Sequence, residues 1–194
     1  MNKIDFLVVG VGGQGTILAS DVLALTGLAL GHDVKKSEVH GMSQRGGSVE
    51  SHVRWGDKVH SPLAEVGTVD YVISFEVLET ARWANYVRPD GTVVINDQRI
   101  HPLAVSVVEA EYPSDDALLE AFHARTDKVH LLPCLAVAQE LGNPRVTNIV
   151  LLGALSKLMD TEPDPWLQVI EERVPERFVK LNKQAFARGR DLVQ

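Results

Sequence analysis

Apolar and polar positions along this chain follow two patterns, short apolar runs and longer segments with apolar residues every three or four positions. Residues 4–9 form an apolar run that ends at Gly10, which is typical of a central strand covered on both faces. Residues 14–30 have helical spacing and are followed by Gly31, a residue that commonly ends helices. The chain therefore opens with a predicted strand, a glycine-rich turn and a predicted helix.

The same alternation continues to the end of the chain. The spacing predicts further strands at 34–39, 71–75, 92–96, 105–109 and 129–132. It predicts further helices at 76–87, at 114–125, after the strand at 129–132 through residue 141, at 148–159 and at 166–192, and a proline turn at 89–91. Strands that alternate with helices in this way build a doubly wound, mostly parallel sheet with helices on both faces. The fold class is therefore α/β and Rossmann-like.

Two segments modify this plain alternation. Residues 49–55 alternate apolar and polar side chains, Gly56-Asp57 offers a turn, and 58–61 is a candidate return strand. We expect a small antiparallel hairpin insertion there. Pro163 and Pro165 precede the last helical segment, so we expect a domain over residues 1–160 and a C-terminal helical arm over 161–194 that belongs to the same domain.

Composition narrows the class of protein. Hydrophobic residues at 45 % and charged residues at 23 % of 194 positions are typical of a globular protein. A formal net charge of −7 disfavours nucleic acid as a partner, because binding phosphates requires clustered Lys and Arg. No apolar run has the length of a membrane span, and the N-terminus lacks the layout of a signal peptide. We expect a cytoplasmic protein.

Cysteine and histidine limit the possible chemistry. Cys134 is the only cysteine, so this chain alone forms no internal disulfide and no four-cysteine iron–sulfur cluster. Its apolar neighbours favour a buried structural thiol over a nucleophile. The histidines lack metal-binding spacing, and His40, His52 and His60 converge only if the predicted hairpin forms. We therefore expect no metal site and no complete catalytic set in this chain.

The glycine-rich turn has three interpretations. Gly10, Gly12 and Gly15 have the G-x-G-x-x-G spacing of dinucleotide sites, although the acidic ribose partner is poorly placed at either Asp33 or Glu38. The turn is alternatively a site for a phosphate of a ligand held by a partner, because free N–H groups at a helix N-terminus favour anions. The third interpretation is a structural corner. A polar side chain within the turn, Gln14, is a candidate contact for a ligand or a partner.

A polar segment from Ser37 to Val49 is the most distinctive part of the sequence. It places polar and charged side chains beside three glycines, Gly41, Gly46 and Gly47, which permit close approach of another molecule. Arg45 beside two glycines can present a planar fork to a phosphate or carboxylate. The alternatives are a site or subunit interface and a plain solvated loop.

Four motifs together resemble one known family. They are Gly10-Val11-Gly12-Gly13-Gln14-Gly15, Ser43-Gln44-Arg45-Gly46-Gly47-Ser48, His60-Ser61-Pro62 and Asn148-Ile149-Val150-Leu151-Leu152-Gly153-Ala154-Leu155. In this order they resemble the gamma-type domain of the 2-oxoacid:ferredoxin oxidoreductases, over roughly residues 4–160. The segment from Ser37 to Gly47 is most similar to the small beta subunits of the indolepyruvate-specific members.

The resemblance implies a function that is completed by another chain. It implies oxidative decarboxylation of an aryl pyruvate to an aryl-acetyl-CoA and CO₂, with CoA as co-substrate and ferredoxin as electron acceptor. It implies that a large partner subunit holds thiamine diphosphate and the iron–sulfur clusters, and that this chain alone is inactive. The expected cofactor- or partner-site residues are Gly12, Gly13, Gln14, Ser43, Gln44, Arg45, Gly46 and Gly47.

Two other functions stay open at this point. One is a free-standing oxidoreductase that binds NAD(P) or FAD, and the other is a nucleotide-sensing regulatory module without catalysis. The sequence also leaves open a homodimer of the isolated chain, formed through the surface that the large subunit would otherwise cover.

Overall fold

A single mixed sheet organises the molecule, and the computed structural model describes residues 3–40, 47–100 and 112–193. Six strands lie in the order β2-β3-β1-β4-β5-β6. Their bounds are β1 Ile4–Val11, β2 Asp33–His40, β3 Ser48–Gly56, β4 Val69–Ser74, β5 Val87–Asn96 and β6 Val129–Leu132. Strands β1, β4, β5 and β6 pair in parallel, whereas β3 is antiparallel to both β1 and β2. The predicted α/β fold with a mostly parallel sheet is confirmed.

Helices cover both faces of the sheet. They are α1 Thr16–Ala29, α2 Val77–Arg82, α3 Asp115–His123, α4 Cys134–Glu140, α5 Thr147–Leu158, α6 Pro163–Arg173 and α7 Glu176–Asp191, with short 3₁₀ turns at Ala84–Tyr86 and Pro144–Val146. Phe6 and Val8 of β1 join a core with α1 and the last four helices. Leu7 and Val9 face the opposite core under α2 and α3. Alternate side chains of one strand thus enter two cores, which explains why residues 6–9 are all apolar.

The predicted hairpin between 49–55 and 58–61 is wrong. Strand β3 pairs instead with β1 and β2, so that Val53 lies opposite Phe6 on one side and Lys36 on the other. Residues 57–61 form no strand, and this segment is held by side chains: the Arg54 guanidinium donates to the carbonyl of Ser61 at 2.9 Å. The antiparallel hairpin is formed by β2 and β3. Alternation identified β3 as a strand, but alternation carries no information about which strand is its neighbour.

The hairpin that was expected to bring His40, His52 and His60 together is absent, so the condition for that histidine cluster is not met. His52 is buried, and its Nδ1 accepts the backbone N–H of Ala64 at 3.3 Å. Burial lowers the pKa of His52, since the neutral ring is favoured away from water. His60 is exposed on the segment after β3, and the side chain of His40 lies outside the described residues.

The proline segment at 89–91 lies within β5 and does not end it. Between the pairs Val69–Val87 and Tyr71–Thr92 the register shifts, so these residues form an irregularity in the strand. In this segment Asp90 has a left-handed φ of 62°, and Gly91 does not have a positive φ. A Cβ at Gly91 would lie 3.0 Å from the carbonyl oxygen of Val69, so this glycine is needed for close strand packing.

The C-terminal arm consists of two helices. Pro163 lies in the first turn of α6, where its missing N–H costs no hydrogen bond, and the chain breaks again at Pro175 before α7. Trp166 and Phe186 are buried, so the apolar face of the arm is part of the core. Helices α5 and α7 approach so closely that a Cβ at Gly153 would overlap the backbone carbonyl of Phe186.

Two further sequence predictions differ in outcome. The helix predicted from residue 114 is confirmed as α3, and Ser114 caps it, because its hydroxyl accepts the backbone N–H of Ala117. The predicted strand at 105–109 lies outside the described residues. No helix in ranges 3–40, 47–100 and 112–193 combines the length and apolar character that a membrane span requires.

Candidate functional site

The glycine-rich turn lies at the carboxyl end of β1 and leads directly into α1. Gly13 and Gly15 have φ values of 104° and 82°, which side-chain-bearing residues rarely adopt. No side chain of the described residues caps α1, and its first turn contains no acidic residue. The backbone N–H groups of Gly13 and Gly15 have no partner within the part of the chain that the structure describes. The turn therefore presents unpaired donors at a helix N-terminus.

Gln14 fastens this turn to the neighbouring strand ends. Its Oε1 accepts the N–H of Val11 at 2.7 Å, and its Nε2 donates to the carbonyl of Phe75 at 2.9 Å. The same Nε2 donates to Oε1 of Gln98 at 3.1 Å. Both N–H groups of this amide are thus used inside the chain. In this structure Gln14 shapes the turn, and one acceptor position on its Oε1 remains for a ligand or partner.

Asn96 continues the same amide network at the carboxyl end of β5. It is fully buried, its Oδ1 accepts the N–H of Leu135 at 3.0 Å, and its Nδ2 donates to the carbonyl of Phe75 at 3.1 Å. The Nδ2 also lies 3.1 Å from Oε1 of Gln98. Three strand ends and the start of α4 are therefore joined by side-chain amides.

Two of the other sequence motifs reach the glycine turn. Asn148 at the start of α5 is buried, and its Nδ2 donates to the carbonyl of Gly15 at 3.3 Å. The carbonyl of Gly47 accepts the N–H of Gly12 at 2.9 Å. His60-Ser61-Pro62 follows β3 on the segment that Arg54 holds, and it takes no part in this arrangement.

An open cavity of about 400 Å³ lies at this edge of the sheet. Its wall is contributed by the turn, by the ends of β4 and β5 and by the starts of α4 and α5. The lining residues are Gly13, Gln14, Gly15, Leu18, Phe75, Gln98, Leu135, Pro144, Arg145, Thr147 and Asn148. In open α/β sheets ligands bind outside the carboxyl ends of the strands, and a cavity of this size holds a small molecule.

The charge of the cavity is opposite in sign to the charge of the whole chain. Among residues 3–40, 47–100 and 112–193, its lining contains Arg145 and no carboxylate, whereas the chain carries a net charge of −7. The exposed Arg145 guanidinium makes no hydrogen bond or ion pair with any residue that the structure describes. Guanidinium and N–H donors favour a ligand with phosphate or carboxylate oxygens.

The predicted site residues divide into three groups. Gly13 and Gln14 line the cavity, while Gly12 and Gly47 meet each other through a backbone hydrogen bond beside it. Ser43, Gln44, Arg45 and Gly46 lie outside the described residues, so their role stays a prediction. Next to them, the Ser48 hydroxyl donates to the carboxylate of Glu79 at 2.7 Å.

Sequence reasoning missed Arg145, Phe75 and Asn148 as cavity residues. Arg145 follows Gly142-Asn143-Pro144, a sequence typical of a helix break. Two amide side chains at the carboxyl end of β5 have different roles in the structure. Asn96 caps the backbone at Leu135, whereas Gln98 lines the cavity. One signal in the sequence could have located these cavity residues, namely the polar residues that follow the buried strands, because ligands bind at the carboxyl ends of strands in such sheets.

The acidic residues weighed for a dinucleotide ribose do not reach the turn. In this sheet β3 separates β2 from β1, so Asp33 and Glu38 lie two strands away, a lateral distance of about 10 Å. Asp33 is at the amino-terminal start of β2, and Lys35 lowers the pKa of its carboxyl group by hydrogen bonding. Glu38 forms an ion pair with Lys36. This topology does not favour the NAD(P) interpretation.

Cys134 is buried as predicted. Burial raises the pKa of its thiol to about 12, so the group is neutral and unreactive near pH 7. Across residues 3–40, 47–100 and 112–193, no three His, Cys, Asp or Glu side chains cluster in a way that could hold a metal ion.

Comparisons with known proteins agree with the sequence motifs. The family model for pyruvate ferredoxin/flavodoxin oxidoreductase matches residues 5–192. The chain is 35 % identical to the indolepyruvate oxidoreductase subunit IorB of Thermococcus kodakarensis, covering 97 % of this chain and 95 % of that protein. It is 34 % identical to the IorB subunit of Archaeoglobus fulgidus, covering 96 % and 94 %.

Solved structures show the same fold. The gamma subunit of a keto/oxoacid ferredoxin oxidoreductase from Geobacter sulfurreducens has a TM-score of 0.71 at 23 % identity, covering 97 % of this chain and 96 % of that one. A 2-oxoglutarate:ferredoxin oxidoreductase from Magnetococcus marinus has a TM-score of 0.75 at 21 % identity, covering 99 % of this chain and 31 % of that one. The resemblance found in the motifs is confirmed, and the chain belongs to the pyruvate ferredoxin/flavodoxin oxidoreductase family.

Proposed function

We propose that this chain is the non-cofactor subunit of a 2-oxoacid:ferredoxin oxidoreductase that acts on indolepyruvate or another aryl pyruvate. The complex would convert the aryl pyruvate and CoA into an aryl-acetyl-CoA and CO₂. The two electrons released would pass to ferredoxin. Support for the substrate class comes from the two IorB subunits, which are 34–35 % identical over nearly the full chain.

The residues of this chain do not fit thiamine diphosphate or an iron–sulfur cluster. Cys134 is its only cysteine and is fully buried, and a cluster requires several cysteine ligands. Thiamine-diphosphate sites carry a Gly-Asp-Gly motif, whereas the single Asp-Gly pair of this chain, Asp90-Gly91, follows a proline. It lies near the amino-terminal start of β5, at the opposite edge of the sheet from the cavity. We therefore assign both groups to a larger partner subunit.

The role of this chain is to complete a site at the carboxyl edge of its sheet. The observation that carries this proposal is the donor-lined cavity, because it is built from two of the motifs shared with the family, the glycine turn and the start of α5. Gly12, Gly13, Gln14 and Gly47, together with Ser43, Gln44, Arg45 and Gly46 from the sequence motif, are the residues that we expect to contact the partner. Arg145 and the N–H of Gly13 suit a phosphate of CoA, a molecule bound in the related Magnetococcus marinus enzyme.

Reconstitution with the large subunit tests this function. The large subunit and this chain are purified separately and then mixed, and indolepyruvate- and CoA-dependent reduction of ferredoxin is followed by absorbance. We expect no turnover by this chain alone and full activity only when both chains are present. Turnover of a 2-oxoacid by this chain alone, or failure of the two chains to associate, would contradict the proposal.

A second measurement tests the substrate class and the alternative functions. The reconstituted complex is compared on indolepyruvate, phenylpyruvate, pyruvate and 2-oxoglutarate at equal concentrations. We expect the highest kcat/KM for the aryl pyruvates. A complex that prefers pyruvate would remove the aryl assignment, and a thermal shift of the isolated chain with NAD, NADP or FAD would favour a nucleotide-binding function.

A further inference from the structure

Three side-chain amides meet beside the cavity, those of Gln14, Asn96 and Gln98, and the backbone determines which way each one points. The oxygen and nitrogen of an amide can be told apart only from their hydrogen-bond partners. Gln14 must direct Oε1 toward the N–H of Val11, 2.7 Å away, and Nε2 toward the carbonyl of Phe75, 2.9 Å away. Asn96 must likewise direct Oδ1 toward the N–H of Leu135, at 3.0 Å.

These two orientations determine a third. Gln14 and Asn96 each present an N–H to the amide of Gln98, at 3.1 Å in both cases. Two donors require an acceptor, so Gln98 presents Oε1 to both of them. Since the oxygen and nitrogen of an amide lie on opposite sides of its carbon, Nε2 of Gln98 is turned away from this network.

The turned-away nitrogen of Gln98 is an unused donor. Its Nε2 makes no hydrogen bond with any residue in the described ranges. Gln98 is half-buried and lines the cavity together with Gly13 and Arg145, which also carry unpaired N–H groups. This donor is held in one orientation beside other donors, and an acceptor atom on a bound ligand would complete its hydrogen bonding.

We propose that Gln98 is a specificity-determining residue whose Nε2 donates to an oxyanion, a phosphate or a carboxylate, bound in the cavity. Arg145 supplies the charge for this ligand, and Gln98 supplies direction, since its oxygen is held by two neighbours. This proposal deepens the proposed function and rests on it only for the source of the oxyanion, which is a CoA phosphate or the carboxylate of the 2-oxoacid.

The substitution Gln98→Glu tests this role with little change of shape. A glutamate keeps an oxygen acceptor for both Gln14 and Asn96, so the amide network is preserved. It replaces the cavity-facing N–H₂ by an anionic oxygen, which repels an oxyanion. Gln184→Glu, the same chemical change at an exposed position of α7, is the matched control.

The measurement is a titration of the isolated full-length chain, followed by ¹⁵N NMR of its side-chain amides. Inorganic pyrophosphate and phenylpyruvate are added in separate arms. We expect one probe to shift the amide pair that is missing from the Gln98→Glu spectrum. We expect Gln98→Glu to weaken binding of that probe at least tenfold and Gln184→Glu to leave it unchanged. The arm that responds identifies phosphate or carboxylate as the ligand group.

Two results would overturn the proposal. One is a wild-type spectrum in which no side-chain amide pair shifts with either probe, a result that needs no assignment from the variant. The other is equal affinity of Gln98→Glu and wild type. The chain is tested without the large subunit, so failure here leaves the proposed function standing. Failure of the two chains to associate would remove the proposed function and leave this binding result standing.

Discussion

The two edges of the sheet, at the amino and the carboxyl ends of its parallel strands, differ in whether their polar side chains have partners. At the amino edge, the fully buried Asp5 carboxylate accepts from Arg54 at 2.8 Å and pairs with Lys3 at 2.8 Å. At the carboxyl edge, Gln98 and Arg145 line a cavity and have no partner for their cavity-facing donors among the described residues.

This difference indicates which edge contributes to stability and which edge contributes to ligand binding. Charges that neutralise one another inside a protein contribute to the folded state but offer nothing to a ligand. Donors that a fold leaves unpaired cost stability unless something binds them, so they mark a binding surface. Changes at the amino edge should therefore alter stability, and changes at the carboxyl edge should alter binding and activity.

The largest expected effect is at the amino edge. Asp5→Ala removes the carboxylate that pairs with the guanidinium of Arg54, and the Arg54 side chain is only 11 % exposed. Breaking a buried pair from one side costs about 3–5 kcal/mol of unfolding free energy. Guanidinium chloride unfolding of the two proteins measures this loss.

A matched pair on the same edge provides the control for Asp5→Ala. Arg88 pairs with Asp70 at 2.9 Å, but the Arg88 side chain is 51 % exposed. Arg88→Gln should cost less than about 1 kcal/mol, because water screens an exposed ion pair. Equal losses for Asp5→Ala and Arg88→Gln would contradict burial as the reason for the difference.

An intermediate effect is expected for the amide network at the carboxyl edge. Gln14→Leu removes the acceptor for the N–H of Val11 and the donor to Phe75. We expect a loss of about 1–3 kcal/mol in urea unfolding, since partly buried groups are left unpaired. Gln184→Leu, at an exposed position, should stay within about 0.5 kcal/mol of wild type. A Gln14→Leu protein as stable as wild type would show that the network does not hold the turn.

A smaller, pH-dependent effect is expected between the two edges, at His52. Burial lowers the pKa of His52 in the folded chain below its usual value of 6.5, so the unfolded chain binds the proton first as the pH falls. Stability should therefore be fully present above about pH 6.5 and should decline below it.

The variant His52→Gln should reduce this decline and keep an acceptor for the N–H of Ala64. Part of the decline in stability at low pH should remain in His52→Gln, because burial also lowers the pKa of His130. Unfolding free energies at pH 7.5 and 5.5 test this, with exposed His123→Gln as the control. An unchanged pH dependence in His52→Gln would exclude His52 as the titrating group.

Much of the fold was predictable because local patterns carry it. The apolar run of β1, the glycines after it and the Ser114 cap each depend on a few neighbouring residues. The partner of β3 was not predictable, because strand pairing depends on residues far apart in the chain. The conformation of Asp90 and Gly91 was also not predictable, because Gly91 packs against Val69, which lies in another strand.

The candidate site was only partly predictable for the same reason. The glycine turn is a local signal and was found. Arg145 and Gln98 come from distant segments, and only the closed fold brings them to the cavity. The orientation of Gln98 depends on two other amides and two backbone N–H groups, which no spacing rule contains.

The smallest expected effect on stability is at Arg145, and its variant is the most direct test of the carboxyl edge as a binding surface. Arg145 has no partner among the described residues, so Arg145→Gln should change the unfolding free energy by less than about 0.5 kcal/mol. Arg173→Gln is the control, because Arg173 is also exposed but pairs with Asp21 away from the cavity.

The deciding measurement is indolepyruvate-dependent reduction of ferredoxin by the large subunit reconstituted with each variant. We expect kcat/KM at least tenfold below wild type with Arg145→Gln, and a wild-type value with Arg173→Gln. An Arg145→Gln complex as active as wild type would contradict the carboxyl edge of this sheet as part of the working site.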